Sequence, residues 1–229
     1  MDFQTWKHVF KLDPAKEISD DVIEQLCTSG TDAILVGGSD DVTMEGVVDL
    51  LTRVRRFSVP IVLEISNLES ITLGFDYYFI PSVLNSTNAS FFKDLHHAAL
   101  KEYGAMMNWD QMIVEGYCVL NEQCKVAQLT SANTKLDEDD VVAYAQMAEH
   151  LFHMPIFYME YSGTYGDSDL VYAASRELNN TKLIYGGGIT TAEQAREMAY
   201  YADMVVVGNI IYDDPEMAVK TVKAVREVC

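Results

Sequence analysis

The chain reads as an α/β protein, a single (β/α)8 TIM barrel over residues 1–229 with a reduced or modified third helix. Three observations carry this expectation. Eight short runs rich in β-branched, aliphatic and aromatic residues recur along the 229 residues, and nearly continuous apolarity suits parallel strands covered on both faces. Segments of helical pattern separate most of them, the alternation of right-handed βα units. Gly186-Gly187-Gly188 ends the seventh run and Gly208-Asn209 the eighth. Loops after strands seven and eight of such a barrel form a recurrent phosphate site, because glycine lets backbone N–H groups approach an anion closely.

The strands are expected at His8–Leu12, Ala33–Gly37, Ile61–Ile65, Tyr77–Ile80, Ile113–Leu120, Ile156–Tyr161, Lys182–Tyr185 and Met204–Val207. Ser19 caps a helix running to about Ser29, with Gly30 as its stop. Asp137 or its acidic neighbours open a helix over 139–152, where negative charge favours the N-terminus. That capping role accounts for the acidic run Asp137–Asp140 better than metal binding does. Thr190 or Thr191 caps the helix before the last strand. Only about a dozen residues, Ser66 to Asp76, join strands three and four, short for a crossover helix. The segment 85–109 is expected to supply a helix with an apolar face of Phe91, Phe92, Leu95, Ala98, Ala99 and Leu100.

Apolar residues make up 49% of the chain, enough for a sizeable core, and 229 residues is close to the roughly 250 of a typical barrel. The net charge of −19 repels nucleic acids and anionic lipid. An anionic ligand must therefore be held locally, by backbone amides, a few cations or a metal. Cys27, Cys118, Cys124 and Cys229 form no CxxC pair, which suits reduced thiols in the cytoplasm. No signal-like segment opens the chain, and no apolar run approaches the ~20 residues of a membrane span.

In a barrel the C-terminal strand ends carry the chemistry. Strand one ends in Lys11-Leu12-Asp13-Pro14 and strand two in Gly37-Gly38-Ser39. Lys11 and Asp13 alternate to the same side of a simple strand. An aspartate, a hydroxyl and waters suit Mg²⁺, which takes few protein oxygens and adds ligand phosphates. Asp13 and Ser39 are the candidate metal residues. Glu160 stands in an apolar strand between tyrosines, placed to hydrogen-bond a polyol and serve as general base. A structural pairing of Glu160 with a barrel lysine is the competing account. His96-His97 read as surface or packing residues.

Several blocks together resemble the PcrB family: Trp6–Pro14, Gly37-Gly-Ser39, Phe79–Asn85, Glu115-Gly-Tyr117, Tyr161-Ser-Gly163, Tyr185–Ile189 and Val207-Gly-Asn209. The family comprises bacterial heptaprenylglyceryl phosphate synthases, related to archaeal geranylgeranylglyceryl phosphate synthases. The resemblance implies a Mg²⁺-dependent prenyltransferase in which the 3-hydroxyl of sn-glycerol 1-phosphate attacks C1 of an all-trans polyprenyl diphosphate, heptaprenyl by family, and diphosphate leaves. It implies a glycerol phosphate site of Lys11, Tyr158, Met159, Glu160, Tyr161, Ser162, Gly163, Gly188, Gly208 and Asn209. Catalysis falls to Glu160 and Lys11, and the metal to Asp13 and Ser39. It also implies a homodimer, and the lipid product implies transient membrane contact. Ala99, where shorter-chain relatives carry a bulky residue, is expected to leave the prenyl groove open. By the residues alone, a phosphosugar isomerase or synthase, or a non-catalytic phosphometabolite-binding barrel, stays open.

Overall fold

A computed structural model describes residues 2–228, and Cys229 lies outside the described residues. Eight parallel strands close into a barrel in sequence order, with β1 hydrogen-bonded to both β2 and β8. They are β1 (His8–Leu12), β2 (Ala33–Val36), β3 (Ile61–Glu64), β4 (Tyr77–Val83), β5 (Met112–Val119), β6 (Ile156–Glu160), β7 (Lys182–Gly186) and β8 (Met204–Val207). Side chains alternate between two apolar layers. Val9, Leu35, Val62, Phe79, Tyr158 and Val206 fill the interior. The opposite faces pack with helix residues such as Ile23, Leu26, Val47, Leu50, Ala195 and Val222. Phe3 and Trp6 close the lower end, each edge-on to Tyr77 at 5.7 Å.

The helices are α1 (Asp20–Thr28), α2 (Met44–Val54), α3 (Asp94–Tyr103), α4 (Lys125–Thr130), α5 (Glu138–Gln146), α6 (Ser168–Ser175), α7 (Ala192–Ala199), α8 (Ile210–Asp213) and α9 (Pro215–Arg226). Ser19 caps α1 by accepting from the Val22 N–H. Asp137 and Asp140 form a reciprocal capping box at α5, so the acidic run is a helix start. Thr191, rather than Thr190, caps α7, again with a capping box.

Three expectations are corrected. β4 was expected to stop at Ile80 and instead runs through Pro81 to Val83. β3 pairs with β4 only as far as Phe79, while β5 pairs with it up to Val83. The proline thus sits where one ladder has already ended, the position at which its missing N–H is tolerated. The segment 85–109 supplies its helix as α3, between 3-10 turns at Ala89–Phe91 and Trp109–Gln111, so Phe91 and Phe92 of the expected apolar face lie ahead of the helix. The helix expected to reach 152 passes into a π-turn at Met147–Leu151. The third crossover helix is absent: among the described residues, 65–76 contain no helix. The outer faces of β4 and β5 next to that link are therefore left for something else to cover.

Candidate active site

A cavity of about 1010 Å³ opens at the C-terminal end of the barrel. Lys11, Asp13, Ser39, Tyr158, Glu160, Ser162, Gly163, Gly188, Gly208 and Asn209 all line it. The other two candidates do not. Met159 and Tyr161 belong to the outer apolar layer and are buried there. The reason is alternation: Tyr158 and Glu160 point into the barrel, so their neighbours point out.

Lys11 reaches up from β1, and its Nζ donates to Glu64 Oε2 of β3 at 2.5 Å. The competing account of Glu160 as the partner of a barrel lysine is thus not met. Burial works against the ammonium charge, but Glu64, which also accepts its hydrogen bond, and Glu160 outweigh it and raise Lys11 above its ordinary value. Lys11 is a cation throughout the physiological range. Glu115, buried on β5, has both carboxyl oxygens without a partner. Burial first, and the charge of Glu64 second, push its carboxyl well above the usual range, which favours its protonated form.

Glu160 ends β6. Its Oε1 accepts from the Ser162 N–H at 2.5 Å, and its Oε2 accepts from the phenol of Tyr117. Two donors to one carboxylate fix its orientation. Tyr117 stacks on Tyr158 with ring centroids 4.6 Å apart. Burial and the Glu160 charge raise Tyr117 far above its ordinary value, which keeps it a donor.

The glycines after β7 form the other side. Gly188 has φ +58°, and a Cβ there would lie 2.0 Å from the carbonyl carbon of Thr164 and 2.1 Å from the Tyr165 nitrogen. Only glycine fits, and backbone rather than side chain faces the cavity. Gly208 and Asn209 follow β8 and lead into the short α8. Lys16 donates to Asn209 Oδ1 at 3.0 Å and lies 4.7 Å over the Tyr212 ring, adding a cation beside these loops. Across the mouth, Lys125 pairs with Asp40 at 2.7 Å. Neither lysine stood out in the sequence, because both lie in loops or at a helix start without a motif.

Among the described residues no group of three or more His, Cys, Asp or Glu side chains could hold a metal. Asp13 and Ser39 line the same cavity, and Mg²⁺ asks for few protein oxygens. A Cβ on Gly38 would come within 2.5 Å of Asp13 Oδ1, so this glycine keeps space beside the carboxylate.

A second, apolar groove of about 360 Å³ runs along the outside of β4 and β5. It lies between the 65–76 link and α3, where the third helix is absent. Ile71, Ile80, Val114, Leu95 and Ala99 line it, and Lys11, Gly38 and Ser39 line both groove and cavity. The two compartments join at Lys11.

The PcrB family profile matches residues 1–226. A heptaprenylglyceryl phosphate synthase of Lysinibacillus sphaericus (strain C3-41) is 62% identical over 226 residues, covering 99% of each chain. The chain belongs to the PcrB family. Another synthase of that name, from Anoxybacillus flavithermus, is 63% identical over 222 residues, 97% of this chain and 96% of its own. Outside these PcrB relatives, (S)-3-O-geranylgeranylglyceryl phosphate synthase from Thermoplasma acidophilum, solved with sn-glycerol-1-phosphate, superposes with a TM-score of 0.88. It is 26% identical, and the match covers 97% of this PcrB chain and 94% of that one.

Proposed function

We propose that this PcrB-family chain is a prenyltransferase that joins the 3-hydroxyl of sn-glycerol 1-phosphate to C1 of a long all-trans polyprenyl diphosphate, heptaprenyl (C35), with release of diphosphate. The observation that carries the proposal is the junction at Lys11 between a polar cavity with a glycine-rich anion grip and a long apolar groove. A phosphosugar isomerase has use for the first and none for the second. The names of the relatives support the acceptor and the heptaprenyl donor.

The backbone around Gly188 and Gly208, with Lys16, takes the phosphate of the acceptor. This leaves the glycerol hydroxyls toward Glu160, whose carboxylate is aimed by Tyr117 and the Ser162 N–H. Charge developing on an allylic carbon is delocalised, so the hydroxyl needs positioning more than early deprotonation. Glu160 accepts its proton as the C–O bond forms. Lys11, held by Glu64, faces the join of the two compartments and stabilises the negative charge left on the diphosphate. Asp13 and Ser39 would hold Mg²⁺, which when bound supplies further neutralisation of that charge. The groove lined by Ile80, Leu95 and Ala99 takes the hydrocarbon, and the small Ala99 leaves room for a long chain.

A homodimer and transient membrane contact for the lipid product belong to the same proposal. Exposed Trp109, Leu100 and Leu129 border the groove and support an apolar neighbour. Among the described residues no helix is long and apolar enough to cross a membrane. Light scattering tests the dimer, and vesicle sedimentation the contact.

The deciding assay incubates the protein with radiolabelled sn-glycerol 1-phosphate, Mg²⁺ and prenyl diphosphates of C15, C20 or C35, then counts label entering organic solvent. Strongest extraction with C35 is expected. Glycerol phosphate binding without extraction from any donor returns the chain to the isomerase or binding-protein readings.

A further inference from the structure

We infer that His96 is a positioning residue for the prenyl donor, tying α3 to β4 and thereby setting the width of the apolar groove. The inference rests on the proposed prenyl transfer. α3 carries Leu95 and Ala99 into the groove wall, yet none of its 10 residues is buried. Lys93 at its N-cap makes no side-chain capping bond. A helix in a protein owes most of its stability to a packed apolar face, so this one needs other anchors. Phe92, just ahead of it, packs on Phe152 with centroids 5.6 Å apart. One turn further in, the anchor is His96.

Its Nε2 lies 3.1 Å from the carbonyl oxygen of Pro81 and 3.1 Å from Ser82 Oγ. A carbonyl only accepts, so Nε2 carries the hydrogen and Nδ1 the lone pair. The strand pattern explains why that carbonyl is available. The Phe79 carbonyl accepts from the Ile65 N–H on the β3 side. Pro81, two residues on, presents its carbonyl to the same side, where β3 has already ended. This half-buried carbonyl has no ladder partner, and His96 supplies it with a donor.

The opposite ring nitrogen, Nδ1, is buried without a partner. A second proton would have nothing to donate to, and burial lowers the proton affinity of the ring. The neutral imidazole suits a wall that faces hydrocarbon. The absence of the third helix thus has two linked results: it opens the groove, and it leaves a carbonyl to which the far wall is fastened.

The test compares His96→Ala, His96→Phe and His96→Gln in the label-transfer assay. Phe keeps the ring and loses the donor; Gln restores an N–H at similar reach. The expected result is a KM for the C35 donor raised about tenfold in Ala and Phe, the scale of one or two hydrogen bonds. Gln should stay within about threefold of the parent, the KM for glycerol 1-phosphate should not move, and kcat should fall less than about threefold. Faster amide hydrogen exchange confined to α3 in Ala and Phe is expected alongside. Ser82→Ala, which leaves the Pro81 carbonyl in place, gives a smaller shift in the same direction and tests the contact from the strand side. Donor KM unmoved in Ala and Phe, Gln as impaired as Ala, or both substrates losing affinity together would each overturn the assignment. Failure of the parent protein to transfer label from any donor refutes prenyl transfer itself, a different outcome from an unmoved KM in the variants.

Discussion

The polar cavity and the apolar groove meet at Lys11 but are held in place by different means. The cavity is made of strand ends and the turns that follow them. Its parts are fixed by steric exclusion at Gly188 and by donors converging on Glu160. The groove is made by an omission: among the described residues the link between β3 and β4 contains no helix, and α3 forms the far wall without a buried residue of its own. Rigid placement serves the transfer step, where small displacements are costly. A lightly anchored wall serves a long hydrocarbon, which asks for area rather than exact geometry. Mutations in the two regions should accordingly separate turnover from donor affinity.

The largest effect is expected from the cavity. Removing Mg²⁺ with EDTA should bring label transfer to background, and Asp13→Asn should require far more Mg²⁺ to recover it; transfer indifferent to both would remove the metal from the proposal. Glu160→Gln should lower kcat about a hundredfold or more, the scale of a lost general base, while calorimetry still detects glycerol phosphate binding. Unchanged turnover would strike Glu160 from the mechanism. Glu64→Gln leaves Lys11 buried with a weaker partner and should cost about tenfold in kcat, read by the same assay. The groove gives smaller and more selective effects. Ala99→Trp should reduce transfer from C35 severalfold while sparing C20; equal use of both donors would refute the role of Ala99 as a length limit.

A control lies at the opposite end of the barrel. His8 is fully buried between the hydroxyls of Thr31 and Thr221, each 2.9 Å away. Burial drives its imidazole down to about 3. The unfolded chain takes up a proton near pH 6.5 that the native state refuses, so the stability His8 contributes is present above pH 6.5. It declines as pH falls toward 3, by ~1.4 kcal/mol per unit. Urea unfolding at pH 7 and 4.5 should show a shallower acid loss in His8→Asn, by ~3 kcal/mol over that interval. An identical loss in both proteins would assign the acid sensitivity to other groups.

Legibility differed between the two regions in the same way. The strand ends carry Lys11, Asp13, Ser39 and Glu160 at positions that alternation and barrel topology make predictable, and all four line one cavity. Met159 and Tyr161 alternate with Glu160 and turn their side chains into the outer layer, which leaves only their backbone toward the cavity. Tyr117 stood in one of the family blocks, but its bond to Glu160 joins residues 43 positions apart, a distance at which sequence pattern is silent. The same holds for Lys125 with Asp40 and for Lys11 with Glu64. The short link at 66–76 foretold a reduced helix, and the extension of β4 past Ile80 was hidden by Pro81, ordinarily a strand breaker.

The sequence by itself determined the periodic features: eight parallel strands, the helix starts at Ser19, around Asp137 and at Thr190 or Thr191, the glycine turns after β7 and β8, and the family. Each depends on local conformational preference or on the spacing of apolar residues, and both are written within a few residues of chain. Tertiary structure alone decided which buried carboxyl pairs with Lys11, which one is left without a partner, and how His96 meets the Pro81 carbonyl that β3 leaves behind. Those outcomes depend on distances between strands far apart in sequence and on desolvation, which no residue carries until the barrel has closed.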